Sequence, residues 1–439
     1  MAHFAIISPN EVGHLLAIGT VGKELVGHGH RVTVVARDDA ALMTEQLGLP
    51  LFKLDTEDIP QSKGYLGWKA FATFGAAWII DLRRWFERDA RVLLQKAPAA
   101  LKELAVDGVL IDQNLVAGGT VAERSGLPFV TICSALPWHE EPAVPPLFTP
   151  WGYAPGWRGQ LRNRLGYAGW HWFMRPAMKA INRQRKAWRL PPLARVDDVF
   201  SPLAQISQLC AEFDFPRREL PPHFHYIGTF AGHRRAGADQ QFPWGQLDDR
   251  PLIFASLGTI SDPSNPPVFR KILTACAGLN AQLVLALGKW RDEQHSVREC
   301  LGPVPDNAMV VDFAPQMELL DRAALLITHA GSNTVLESLS RGVPMVALPR
   351  NADQTGVGSR VAYSGAGLCA SFKHCTPEEL RSLVQRVLAE DSFRRRAREL
   401  QQAILAAGGF QRAAEIAEEA LTTRRPVKRP GNGHRSRAE

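Results

Sequence analysis

The chain has 439 residues, 45% of them hydrophobic and 22% charged, with a formal net charge of +7 and a pI near 9.2. That length suits two ordinary domains or slightly more, each able to bury a full core. Six cysteines without a C-x-x-C pair or a His/Cys cluster exclude a zinc module and point to a reduced cytosol. No apolar stretch reaches about 18 residues, which argues against a membrane-spanning helix.

The chain opens with HFAIIS, a turn reaching His14, a helical stretch ending in GHGH, and RVTVVA, which reads as strand, helix, strand. Lacking a basic lead and a long apolar segment, the amino terminus reads as this first strand and not as a signal peptide. The loop Pro9-Asn10-Glu11-Val12-Gly13-His14 has no G-x-G-x-x-G, so a dinucleotide site is not expected there. GVLIDQ (108–113) predicts a strand, a turn region at Gly118-Gly119 leads into a helix, and PFVTICSA predicts the next strand. His14 and Asp112 therefore fall on the carboxyl edge of one sheet, where open α/β folds bind ligands. A histidine there can act as a base when its other nitrogen donates to a carboxylate. The bland alternatives are a helix-start histidine bonded to backbone and a strand-end aspartate capping a turn.

Residues 151–190 hold five of the eleven tryptophans and nine Lys/Arg without one Asp or Glu. Such a segment suits either a membrane interface or an amphipathic helix that buries its Trp residues and leaves its cations in water. No nucleic-acid-binding module accompanies the charge, so no nucleic-acid partner is expected. A boundary is expected within 231–250, rich in Gly, Arg and Gln. A second alternation of strands and helices then runs through LIFASLGT (252–259), QLVLALG, AMVVDF, LLITHA and PMVALP. These readings divide the chain into 1–240, 241–423 and a basic, disordered tail at 424–439. The fold expected is α/β, two Rossmann-like domains, each a parallel sheet flanked by helices.

The stretch ITHAGSNTVLESLSRGVPMVALPRNADQ (327–354) reads as a strand feeding a glycine-bearing turn at the mouth of a helix. Unpaired amides and the positive end of the helix dipole make that turn a seat for a diphosphate. Thr334-x-x-Glu337 reads equally as a capping box.

With Phe313-Ala314-Pro315-Gln316 upstream, Gly342-Val343-Pro344 within and Asp353-Gln354 closing it, the stretch resembles the nucleotide-diphosphate-sugar signature of family 1 glycosyltransferases. The resemblance covers nearly the whole chain and implies two facing domains, the glycosyltransferase B architecture. It implies that Phe313 stacks on uracil, where plant members carry Trp, that Ala314 contacts the base through its backbone, and that Gln316 and Glu337 contact ribose. By the same resemblance His329, Gly331, Asn333 and Thr334 hold phosphates, and Asp353 and Gln354 hold sugar hydroxyls. Gly258 and Thr259 resemble the family's second phosphate-contacting loop. Gly13-His14 matches the context of the family's catalytic base, and Asp112 stands where its carboxylate partner follows. The implied activity is inverting, metal-independent transfer of a hexose, glucose by preference, from UDP-glucose as co-substrate, with no cofactor. SALPWHEEPAVPP and SPLAQISQLCAEFDFPR are similar to bacterial carotenoid glucosyltransferases, which implies a lipophilic acceptor such as zeaxanthin and a cytoplasmic protein peripheral to the inner face of a membrane. Macrolide, sterol and polyphenol transferases share the architecture, and a UDP-sugar epimerase of the same fold is the lower alternative.

Overall fold

The computed structural model describes residues 1–54, 76–230, 242–258, 260–261, 265–290 and 297–429. The first half runs β1 (His3–Ile7), α1 (Val12–Gly27), β2 (Arg31–Ala36), α2 (Ala41–Leu47), β3 (Leu51–Lys53), α3 (Ala76–Leu104), β4 (Gly108–Asp112), α4 (Gly118–Arg124), β5 (Phe129–Cys133), α5 (Trp157–Ala187), β6 (Gln205–Ser207) and β7 (Phe224–Tyr226). HFAII, GVLID and FVTIC are buried at every residue, as strands covered on both faces must be. They pair in parallel in the order β3-β2-β1-β4-β5-β6-β7. The order runs outward from β1 to β3 and resumes on the other side at β4. β1 and β4 therefore flank a switch point, and the crevice beyond their carboxyl ends is the natural ligand site.

The second half repeats the plan with β8 (Leu252–Ser256), β9 (Ile260–Ser261), α6 (Asn265–Cys276), β10 (Gln282–Ala286), β11 (Lys289–Trp290), β12 (Ala308–Val311), α7 (Gln316–Arg322), β13 (Ala323–Thr328), α8 (Ser332–Ser340), β14 (Met345–Ala347), α9 (Gln354–Ser364), β15 (Gly367–Cys369), α10 (Pro377–Ala389), α11 (Asp391–Ala406) and α12 (Gly409–Thr423). Its six-stranded parallel sheet has the order β12-β10-β8-β13-β14-β15, with the switch between β8 and β13, while β9 and β11 form a small separate pair. Two parallel sheets flanked by helices are thus present as the sequence implied.

Two boundaries differ from expectation. Helix α12, assigned by position to the second unit, packs on the first sheet: Ala413, Ala414, Ile416, Ala417, Ala420 and Leu421 share a core with Phe4, Ile6, Leu15 and Leu110. An apolar helical stripe specifies that a face is buried, not which sheet buries it. The supposed tail is also fixed in part. Val427 is buried, its N–H donates to the Leu203 carbonyl (2.9 Å), and its own carbonyl accepts from His225 Nε2 (2.9 Å). Arg429 N–H donates to the Pro222 carbonyl (2.8 Å), and residues 430–439 lie outside the described residues.

Helix α5 buries part of the aromatic segment and leaves part of it exposed. Trp170 is buried, stacked on Phe173 (centroids 5.5 Å apart) and edge-on to Trp138 (5.0 Å), whereas Trp157 and Trp172 are exposed. Arg185 is buried and bonded to Thr120 Oγ1, the Pro191 carbonyl and Glu123. Among the described residues no helix is long and apolar enough to cross a membrane.

Candidate active site

His14 sits in the first turn of α1, two residues after its start and not in a loop, with its N–H donating to the Glu11 carbonyl (3.0 Å). The α1 turn aims the imidazole across the first switch point at Asp112, the last residue of β4. His14 Nδ1 lies 2.9 Å from Asp112 Oδ2, and the carboxylate is wholly buried. Asp112 also accepts from the Asn114 N–H at Oδ1 (2.9 Å) and from the Ser134 hydroxyl at Oδ2. Ser134 Oγ stands 2.7 Å from His14 Nδ1. A carboxylate only accepts, so Nδ1 carries the hydrogen and, in the neutral ring, Nε2 is the nitrogen left to accept one. Burial pulls the His14 pKa down, but the charge and hydrogen bond of Asp112, helped by Glu11 and Asp353, hold it up at about 9.

Asn114 Nδ2 lies 3.3 Å from His14 Nε2, and Asn114 Oδ1 is buried without a hydrogen-bond partner among the described residues. The amide can donate to neutral imidazole or, turned over, accept from imidazolium. Neither Ser134 nor Asn114 was singled out in the sequence. They matter because β4 and β5 are neighbours, a fact no local pattern carries.

On the facing half, Gly258 follows β8 and His329 follows β13, astride the second switch point. A Cβ on Gly331 would lie 2.7 Å from His329 Nε2, and one on Gly258 would lie 3.1 Å from His329 Cε1. Gly258 also has φ +106°, a conformation few other residues adopt. Glycine at these two positions therefore makes room for the His329 ring. Between them Ala330 is held at φ +65°, and Ala352, just before Asp353, at φ +50°. Left-handed alanines are strained, and such strain gathers at functional turns.

Helix α8 opens at Ser332 with no side-chain cap, so Thr334-x-x-Glu337 is not a capping box: Thr334 is already the third helical residue. Glu337 instead accepts from Gln316 Nε2 at the head of α7, which joins the Phe313-Ala314 segment to α8. Phe313 is half-buried, and Ala314 packs on the core beneath the sheet. Ser332 Oγ donates to Asp353 Oδ2 (3.2 Å), and Gln354 Oε1 accepts from the Arg350 N–H (3.1 Å). Burial raises the Asp353 pKa, and the nearby His14 opposes that rise. Thr259 lies outside the described residues.

The halves touch through these same residues. Asn333 Nδ2 donates to the Gly13 carbonyl (2.9 Å), and Asn333 Oδ1 accepts from Gln208 Nε2 (2.8 Å). Gln208 also donates to the Ser134 carbonyl, so one chain of bonds runs from the His14 network to α8. Below, Arg360 of α9 donates from Nε to Asp214 Oδ1 (2.6 Å), and Asp214 accepts further from Arg217 (2.8 Å) and the Tyr226 hydroxyl (2.7 Å). Burial alone would raise the Asp214 pKa, yet the two guanidinium groups hold it well below the carboxylate range. A Cβ on Gly356 would lie 2.1 Å from the Leu147 carbonyl, so α9 presses directly on the first half. This seam fixes α9, whose head carries Asp353 close enough to His14 for each charge to act on the other. Beside Glu11, a cavity of about 60 Å³ is lined by Arg37, Trp85, Asp89 and Leu115. Burial and the charge of Glu11 push the Asp89 carboxyl up to about 7.

The family described as UDP-glucoronosyl and UDP-glucosyl transferase matches residues 5–403. The chain is 34% identical to a zeaxanthin glucosyltransferase of Pantoea ananas, covering 97% of this chain and 98% of that one. It is 32% identical to one of Pseudescherichia vulneris, covering 90% and 92%. The solved structure of the glycotransferase of kitacinnamycin superposes with a TM-score of 0.73 at 23% identity, over 96% of this chain and 99% of the other, a likeness of fold.

Proposed function

The chain belongs to the UDP-glucoronosyl and UDP-glucosyl transferase family, and from that premise we propose an inverting transferase that moves glucose from UDP-glucose to a hydroxyl of a carotenoid such as zeaxanthin. The observation that carries the mechanism is the Asp112–His14 pair facing the head of α8 across a seam bridged by Asn333. The acceptor hydroxyl gives its proton to His14 Nε2 as its oxygen forms a bond to the anomeric carbon. The bond from that carbon to the diphosphate oxygen breaks, and UDP leaves with the electron pair. Asp112 stabilises the imidazolium and fixes its tautomer, the division of labour of a hydrolase triad with the substrate hydroxyl in place of serine. Asn114 steadies the entering hydroxyl, and Ser134 holds Asp112 and His14 in register.

The donor lies along α7 and α8. Phe313 stacks on uracil, Ala314 meets the base, and Gln316 with Glu337 takes the ribose. The α8 amides, with His329, Asn333, Thr334, Gly258 and Thr259, take the diphosphate, so that no metal or other cofactor is required. Asp353 and the Gln354 amide take the sugar. The acceptor enters from the first half beside Glu11. Its apolar length calls for a cytoplasmic enzyme at the inner face of a membrane. An epimerase would need acid and base groups around the sugar, whereas the wired pair here stands in the opposite half. Incubation with UDP-glucose, without and with zeaxanthin, tests the reading: UDP release that depends on zeaxanthin and yields its glucoside supports it. Release indifferent to zeaxanthin, or conversion of the sugar without transfer, refutes it.

A further inference from the structure

On α5, Trp157, Leu161, Leu165, Ala168 and Trp172 are all exposed, Trp157 at 71% and Leu165 at 68%. At 3.6 residues per turn they fall within an arc of about 80° and run for roughly 22 Å. Eighteen residues, five whole turns, separate Trp157 from Arg175. Arg175, Lys179, Arg183 and Lys186 therefore continue the same arc for roughly another 16 Å, and all four are exposed. Pro176 marks the junction. One helix face is thus apolar and Trp-bearing in its first half and purely cationic in its second. The helix itself has no acidic residue; of the acids near it, Glu140 is bonded to His171 (2.6 Å), Glu123 to Arg185 (2.6 Å), and Asp81 of α3 lies 3.7 Å from Arg84. The adjacent α3 extends the apolar part: Arg83 lies over the Trp172 ring at 4.2 Å, and Ile79, one turn earlier, is exposed.

We propose that this face of α5 docks the protein on an anionic lipid surface, with Trp157, Leu161, Leu165 and Trp172 entering the headgroup region and Arg175, Lys179, Arg183 and Lys186 resting on lipid phosphates. Charge complementarity selects the partner. A protein groove would have to match an apolar ridge and a four-cation row in line, whereas a bilayer offers apolar depth and anionic surface everywhere along the helix. Tryptophan suits the boundary because its ring is apolar and its N–H stays near water. The inference deepens the proposed function by naming the surface that would meet a lipid-dissolved acceptor, but binding is measured with no sugar transfer, so either reading can fail alone.

The test is sedimentation of the full chain with vesicles of phosphatidylcholine and phosphatidylglycerol, against phosphatidylcholine alone. The protein binds the anionic vesicles, more weakly as salt shortens the screening length. A charge variant (Arg175→Gln, Lys179→Gln, Arg183→Gln, Lys186→Gln) and an apolar variant (Trp157→Ser, Leu161→Ser, Leu165→Ser) each lose about tenfold or more in vesicle affinity. Turnover on detergent-dispersed acceptor persists in both, which shows that they fold. Arg435→Gln with Arg437→Gln, neutralising the end of the chain, leaves binding within about twofold. Undiminished binding by the charge variant, or loss on neutralising Arg435 and Arg437, overturns the proposal. So does an apolar variant that turns a dimer into a monomer while vesicle binding stays unchanged, which would make the face an interface between copies.

Discussion

The two lips of the cleft are built from different materials. The first is an arrangement of side chains: His14, Asp112, Ser134 and Asn114 bond to one another in a network whose chemistry depends on single atoms. The second is chiefly an arrangement of backbone, in which Gly258 and Gly331 clear space for His329, Ala330 and Ala352 hold left-handed turns, and α8 presents an uncapped head. The first lip should therefore be sensitive to the removal of functional groups, and the second to the addition of bulk. The Asp214–Arg360 ion pair joins the two halves beneath them.

The largest effect is expected on the first lip. His14→Ala should lower turnover by about two to four orders of magnitude with little change in UDP-glucose affinity, read by initial rates and donor titration. Near-normal turnover would end the assignment. At the seam, Asp214→Asn leaves Arg360 and Arg217 buried against a neutral amide and should cost about 3–5 kcal/mol in denaturant unfolding. Because α9 carries Asp353 and Gln354, its loosening should impair donor binding and turnover together. If only stability falls, the seam does not position the site.

The second lip sharpens the contrast. Gly331→Ala adds one methyl group against His329 and should raise the KM for UDP-glucose about tenfold while the His14 pH profile keeps its shape. If kcat alone fell, the division between the lips would be wrong. The smallest effect is Gln354→Ala, which should weaken UDP-glucose several-fold, roughly 1 kcal/mol, and leave free UDP nearly unaltered in calorimetric titration. Equal losses for both ligands would remove Gln354 from the sugar.

How far the sequence reached follows the same division. Apolar runs such as GVLID and LIFAS announced buried parallel strands, and the 327–354 stretch announced the strand, the glycine-bearing turn and the helix that follow one another there, because both are local patterns. Ser134, Asn114 and Gln208 gave no local signal, since their importance comes from which strands lie side by side. The same limit hid the placement of α12 and Val427 on the first sheet. His14 was legible as a candidate, but its place inside the first turn of α1, and not in the loop, depends on backbone dihedrals that spacing does not fix.

The central claim is that His14, charged up by Asp112, is the base, and the pH dependence of kcat/KM tests it most directly. Only neutral imidazole accepts the proton, so activity should climb with pH, about tenfold per unit, and level near the His14 pKa of about 9. In Asp112→Asn the carboxylate charge is gone, so the bend should move down toward the ordinary histidine range, about 6.5, and the plateau should fall. A bend that stays in place when Asp112 is neutralised, or that persists in His14→Ala, would contradict the account.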